Sequence, residues 1–232
     1  MGALVDAEDI LARYRRYREL TIKHHNDAID RVATDTMLER ARQLGLASGR
    51  TFTFDDEQEW PLVCDLALYT APAGRSRAVD RHTKAALPKA DGEEADVLRA
   101  MAAARYSLWK VERHHESTGV ILTDTIRGDE VWLVDEAFGY VAKPGWIAAI
   151  RLLPVAAFYV TSGTMVPIDN EAIVRDLSDR LSWVRDRDKD RLSTDPRLPV
   201  AVYRAALQHG VLNRVRYRQM DEALPLPDMP PA

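Results

Sequence analysis

Apolar residues recur every three or four positions at the start of the chain, switch to every second position near Tyr106, and return to the helical spacing after Asp169. Residues 7–46 therefore predict helix. One stripe runs Ile10, Tyr14, Tyr17, Thr21, His24, Ala28 and Val32, and a second runs Ile29, Val32, Ala33, Thr36, Met37, Ala41 and Leu44. The change of stripe places a bend or break near Asn26. One long arm and two helices satisfy the pattern equally. Gly45, Ser48 and Gly49 end the segment.

Asp56-Glu57-Gln58-Glu59 sets an acidic cap three residues before a glutamate, which predicts a helix from Asp56 to about Tyr69. Pro72 and Gly74 form a loop, Arg75–Leu87 a shorter helix ended by Pro88, and Asp91-Gly92-Glu93-Glu94 the start of a helix to about Arg105. From Tyr106 the alternation of Ser107, Trp109 and Val111 with Leu108, Lys110 and Glu112 is that of a strand. Further strands are expected at Val120–Thr123, Glu130–Val134, Gly139–Ala142, Ile147–Leu153 and Ala157–Thr161, Gly139–Ala142 being the weakest. Turns at Ser117-Thr118-Gly119, Arg127-Gly128-Asp129 and Lys143-Pro144-Gly145 separate them. Helix returns at Asp169 to about Val184. Pro196 and Pro199 bound a loop, and Val200–Gln219 is a last helix with a break at Gly210.

The expected fold class is α+β, with helical segments on both sides of a small antiparallel β barrel or curled sheet of five to six strands. Four regions follow: helices over 1–105, the β module over 106–167, C-terminal helices packing back on the rest over 168–224, and a disordered proline-rich tail over 225–232.

Composition adjusts this picture modestly. The chain is 46% hydrophobic and 29% charged, enough apolar surface for a packed core. A net charge of −4 argues against a protein whose main task is phosphate binding, and nucleic acid is not an expected partner. Cys64, the single cysteine, makes no internal disulfide and lies among Leu62, Val63, Leu66 and Leu68, so it reads as a small core residue. The start of the chain lacks the basic residues and apolar run of a secretory signal, and no stretch approaches the ~20 apolar residues of a membrane span. A cytoplasmic, membrane-free location is expected. Arginine exceeds lysine by 26 to 6, a bias that suggests a bacterial source.

Candidate chemistry is sparse. His24-His25 stands in the first helical region, and Asp27 follows His24 by one turn. His24 and Asp27 are the candidate metal ligands, lacking an identifiable third. His114-His115-Glu116 ends the first strand, where neighbouring side chains point to opposite faces. Arg13, Arg15 and Arg16 beside Tyr14 and Tyr17, and Arg214, Arg216 and Arg218 beside Tyr217, are the candidate nucleic-acid contacts. Residues 1–50 carry nine basic and eight acidic groups, so the first patch is not strongly basic. The alternating charges of 185–191 read as a solvated surface. The phosphate-loop, dinucleotide, nucleophile-elbow and H-E-x-x-H patterns are absent, and no cofactor is implied. Asp124 with Asp129, Asp135 with Glu136, and Ser162 could serve catalysis, but turn chemistry accounts for each.

The run Y-S-L-W-K-V, then G-V-I-L-T-D-T-I-R-G-D-E-V-W-L-V-D-E, then A-A-I-R-L-L-P-V and T-S-G lies within Tyr106–Pro167. It resembles a β module of uncharacterised bacterial proteins, some of which end in a cysteine-rich zinc motif like the tail of the SecA translocase. This chain lacks those cysteines, so the resemblance implies a structural module and no metal. The leading expectation is a non-catalytic protein acting through protein–protein association, as a homo-oligomer. A metal-binding protein or hydrolase using His24 and Asp27, and a nucleic-acid binder using the arginine-rich helices, are the alternatives.

Overall fold

The computed structural model describes residues 7–72, 74–181 and 195–212. Helix α1 (Ala7–Ile29) buries Ile10, Tyr14, Tyr17, Leu20, Thr21, His24 and Ala28 along one stripe. Helix α2 (Thr34–Leu44) follows. The first helical region is thus two helices. The break lies at residues 30–33 rather than near Asn26, where Ala33 takes an extended conformation before α2. Gly45 ends α2 with φ of 81°, and its N–H bonds back to Arg42 O. A hairpin unforeseen in the sequence, β1 (Ala47–Ser48) and β2 (Thr51–Phe52), turns on Gly49 and Arg50.

Helix α3 (Glu59–Tyr69) starts three residues later than its acidic motif suggested. Asp56 Oδ1 instead accepts from Gln58 N, closing a turn before the helix. The later start puts Pro61 in the first turn, where a missing N–H leaves no bond unmade. Helix α4 (Ala78–Ala86) runs into a short 3₁₀ turn at Leu87–Lys89, and α5 (Gly92–Ala102) leads into the sheet.

Strands β3 (Arg105–His114), β4 (Val120–Asp124), β5 (Glu130–Leu133), β6 (Ile147–Val155) and β7 (Phe158–Pro167) form a closed barrel in the order β3-β4-β5-β7-β6. Every neighbouring pair is antiparallel except β5 and β7, which close the barrel through a parallel contact of Leu133 with Tyr159. Register shifts at Val111/Arg113 and Ile150/Leu152 let the long strands bend around so small a barrel. Residues 139–142, expected as a weak strand, belong largely to helix α6 (Glu136–Val141). The Asp135 side chain caps this helix by accepting from Phe138 N, and the helical spacing turns Phe138 and Ala142 together onto the barrel interior. Helix α7 (Glu171–Arg180) is capped by Asn170, and α8 (Arg197–Gln208) follows Pro196 at its N-cap, with Pro199 in its first turn.

Among the described residues three apolar clusters result. Trp109, Leu122, Leu133 and Ile150 fill the barrel, and Trp109 Nε1 donates to Ile150 O. One outer cluster joins Tyr106, Ala149 and Val166 to α2, α3, α7 and α8. The other joins Leu153, Val155, Phe158 and Val160 to α1, α4 and α5. Strand β6 is buried on both faces, which explains its near-continuous apolar run. Among the described residues no helix is long and apolar enough to cross a membrane.

Candidate functional site

Helix α1 directs its adjacent histidines into separate networks. His24 is 4% exposed and meets His82 of α4, with His24 Nδ1 3.1 Å from His82 Nε2. Arg31 Nη1 stands 3.3 Å from His82 Nδ1. A guanidinium only donates, so His82 Nδ1 accepts and its proton sits on Nε2. That proton points to His24 Nδ1, which leaves the His24 proton on Nε2, 3.1 Å from Glu94 Oε1. The last contact is electrostatic, because His24 Nε2 makes no well-aligned hydrogen bond. Lys23 Nζ completes the row at 2.6 Å from the same Glu94 oxygen. Burial holds both imidazoles below the usual histidine range. His24 and Arg31 press His82 down further, whereas Glu94 and Asp27 partly offset the shift at His24.

This row lines a shallow groove of about 230 Å³, with Ala85, Ala86 and Ala90 leaving room. Asp27 lines it too, but the groups that meet His24 are His82 and Glu94 rather than Asp27. Both imidazole lone pairs are taken by hydrogen bonds, a poor arrangement for coordination. Among the described residues no group of three or more His, Cys, Asp or Glu side chains is placed to hold a metal ion.

His25 faces the other way. Its Nε2 lies 2.7 Å from Tyr69 Oη, and burial holds the ring at a pKa of about 4, neutral at physiological pH. Tyr69 in turn lies under Arg151, whose guanidinium carbon is 4.4 Å from the ring centre. Arg151 and Asp65, both 4% exposed, form a two-point ion pair, and Tyr203 Oη donates to Asp65 Oδ2 at 2.8 Å. This network joins α1, α3, β6 and α8. Sequence reasoning missed it, although Asp65 within 62–69 and Arg151 within 147–153 are each the single charge in an apolar run.

The other candidates have structural occupations. Arg13 Nη2 donates to Tyr17 Oη, Arg15 pairs with Glu136 at 2.6 Å, and Arg16 lies between Glu19 and Glu93. Arg214, Arg216 and Arg218, the charged run 185–191 and the tail 225–232 lie outside the described residues. Asp124 is fully buried and accepts from Ser107 Oγ and from Ile126 N and Arg127 N, closing the β4–β5 turn at Gly128. Arg105 separates it electrostatically from Asp129. Asp135 caps α6 and accepts from Thr161 Oγ1. Ser162 Oγ sits at a long 3.5 Å from Asp65 Oδ1. Cys64 is half-buried, and burial pushes its thiol up to about 12, far from a reactive thiolate.

A second surface is built by α6 and the connection to β6. Tyr140 is 91% exposed, Val141 50% and Trp146 46%, three large apolar side chains within seven residues. Phe138 and Ala142 are anchored in the barrel, so the short helix must turn Tyr140 outward. Beside Tyr140 lies a groove of about 320 Å³ whose walls include Leu11, His115, Gly119 and Gly139. His115 stacks on Trp132 with ring centres 3.9 Å apart. His114 stays exposed.

A family model described as a family of unknown function (DUF7986) matches residues 8–214. The chain belongs to this family. The DUF7986 match runs through α1 to α8, so the barrel and its surrounding helices all fall inside it. No curated protein and no solved structure gives a significant match.

Proposed function

We propose that the protein acts without catalysis, as an association module that binds other protein through the face made by α6 and the α6–β6 connection. The carrying observation is the exposure of Tyr140, Val141 and Trp146 on one short stretch, in which Phe138 and Ala142 are buried in the barrel. Aromatic side chains presented on a fixed backbone bring large contact area at small entropic cost. The structural occupations of the buried acids, and a thiol pushed up by burial, support the non-catalytic part of the reading.

A bacterial cytoplasmic setting belongs to the same proposal, supported by the unpaired Cys64 and the arginine bias. Kinship with the zinc-tailed β-module proteins is part of it as well and rests on the turn motifs of the barrel.

The test places a photo-crosslinking amino acid at position 140 of the full chain in cells. A discrete protein adduct that disappears when the crosslinker is moved to exposed Arg50 is expected. Absence of any adduct at position 140 contradicts the proposal.

A further inference from the structure

We propose that His24, His82 and Arg31 form a proton-operated latch, in which one proton taken up by His24 reverses its hydrogen bond to His82 and releases Arg31. The latch is independent of the α6 face. Its closed form is a hydrogen-bond row with one direction, from Arg31 Nη1 to His82 Nδ1 at 3.3 Å and from His82 Nε2 to His24 Nδ1 at 3.1 Å. Each ring nitrogen in that row already has a role, so the row holds only while both imidazoles are neutral.

The charged groups around the pair decide where the proton goes. Glu94 of α5 has Oε1 3.1 Å from His24 Nε2, and Asp27 of α1 also favours a charge on His24. Lys23 of α1, bound to the same Glu94 oxygen, opposes it. His82 of α4 instead faces the Arg31 guanidinium, with Asp27 the acid that favours its charge. Lys89, from the 3₁₀ turn, lines the same groove. The first proton therefore goes to His24 Nδ1, where it meets the His82 Nε2–H donor to donor. His82 can accept there only by carrying its own proton on Nδ1, and that atom then no longer accepts from Arg31. His24 gains one proton and His82 keeps its one, moved from Nε2 to Nδ1. His24 is 4% exposed, so its charge must keep an acceptor inside the protein. Arg31 is exposed and exchanges a neutral acceptor for water at little cost. The Arg31 bond gives way, and the guanidinium turns to solvent.

Imidazole nitrogen NMR on the full chain, titrated from about pH 7.5 to about pH 4.5, provides the test, together with water exchange of the Arg31 guanidinium protons. At the alkaline end both rings should carry the proton on Nε2. As pH falls, His24 should become the imidazolium first, while His82 stays neutral and its proton shifts to Nδ1. Arg31 exchange, taken relative to exposed Arg75, should rise several-fold with the same midpoint. In His24→Gln the side chain still accepts from His82 but takes up no proton. His82 should then stay in its Nε2–H form, and Arg31 in place, until His82 itself is protonated. Should His24→Gln fail to fold, the wild-type titration decides alone. Four wild-type results would each overturn the latch: a His82 proton on Nδ1 at the alkaline end, His82 charging before His24, Arg31 exchange that ignores the His24 titration, or unfolding before His24 is protonated. A folded His24→Gln chain that releases Arg31 at the wild-type midpoint would overturn it as well.

Discussion

Asp65 of α3 and Arg151 of β6 meet through two hydrogen bonds of 2.8 Å each. The guanidinium is held between the rings of Tyr69 and Tyr106, and Tyr203 reaches the carboxylate from α8. This one pair ties the barrel to helices on either side of it in sequence.

Removing one partner strands the other charge in an apolar setting. Arg151→Met is expected to lower stability by about 3 to 5 kcal/mol, read from the urea midpoint. The double variant Asp65→Leu with Arg151→Met should recover most of the loss, because the desolvation of both charges goes with them. A single-variant loss below about 1 kcal/mol would place the pair outside the determinants of the fold.

Acid should weaken the protein before its carboxylates titrate. His25 has a folded pKa of about 4, and His24 and His82 are lowered by burial, against about 6.5 in the unfolded chain. The unfolded state therefore binds more protons in this window. Stability is complete above about pH 6.5 and declines as pH falls through 6 and 5. Urea midpoints at pH 7.5 and pH 5 measure the slope. His25→Gln should flatten it, and equal midpoints for wild type at both pH values would contradict the assignment.

Two glycines separate backbone strain from collision. Gly119 and Gly128 both have positive φ, but a Cβ at Gly119 would lie 2.2 Å from Leu133 O, whereas Gly128 has open space. Gly128→Ala should cost about 1 kcal/mol, the penalty of the left-handed conformation alone. Gly119→Ala should cost clearly more, because the β4–β5 pairing must shift. Thermal melts of the two variants give the comparison, and equal losses would contradict it.

Cys64 should be sluggish towards a disulfide reagent at pH 8. Burial pushes its thiol up to about 12, so the thiolate fraction is far below that of a free cysteine. A rate at least tenfold slower than that of glutathione is expected, and a matching rate would contradict the burial.

Local order was legible in the sequence where one residue type decides it. The α1 stripe, the turn at Asp124–Gly128 and the barrel strands follow from periodicity and from turn residues whose partners are two to five positions away. Two failures were also local. Pro61 and Pro199 fit a first helical turn, and this shifted the starts of α3 and α8. Asp135 caps a helix over residues where a weak strand, Gly139–Ala142, was expected. The site lay beyond local reading, because His24 meets His82 58 residues on, and Asp65 meets Arg151 86 residues on. Lone opposite charges inside apolar runs were the available signal for the second pair. For the histidine row the α1 stripe placed His24 on the buried face, but nothing local named His82 or Glu94 as its partners.

The association reading is tested most directly at Tyr140 itself. Hydroxyl-radical footprinting compares oxidation of this ring in intact cells with that in purified, highly diluted protein, using exposed Trp60 as internal reference. A several-fold protection of Tyr140 in cells, with Trp60 oxidised equally in both, is the expected result. Equal oxidation of Tyr140 in the two conditions would contradict a covered α6 face.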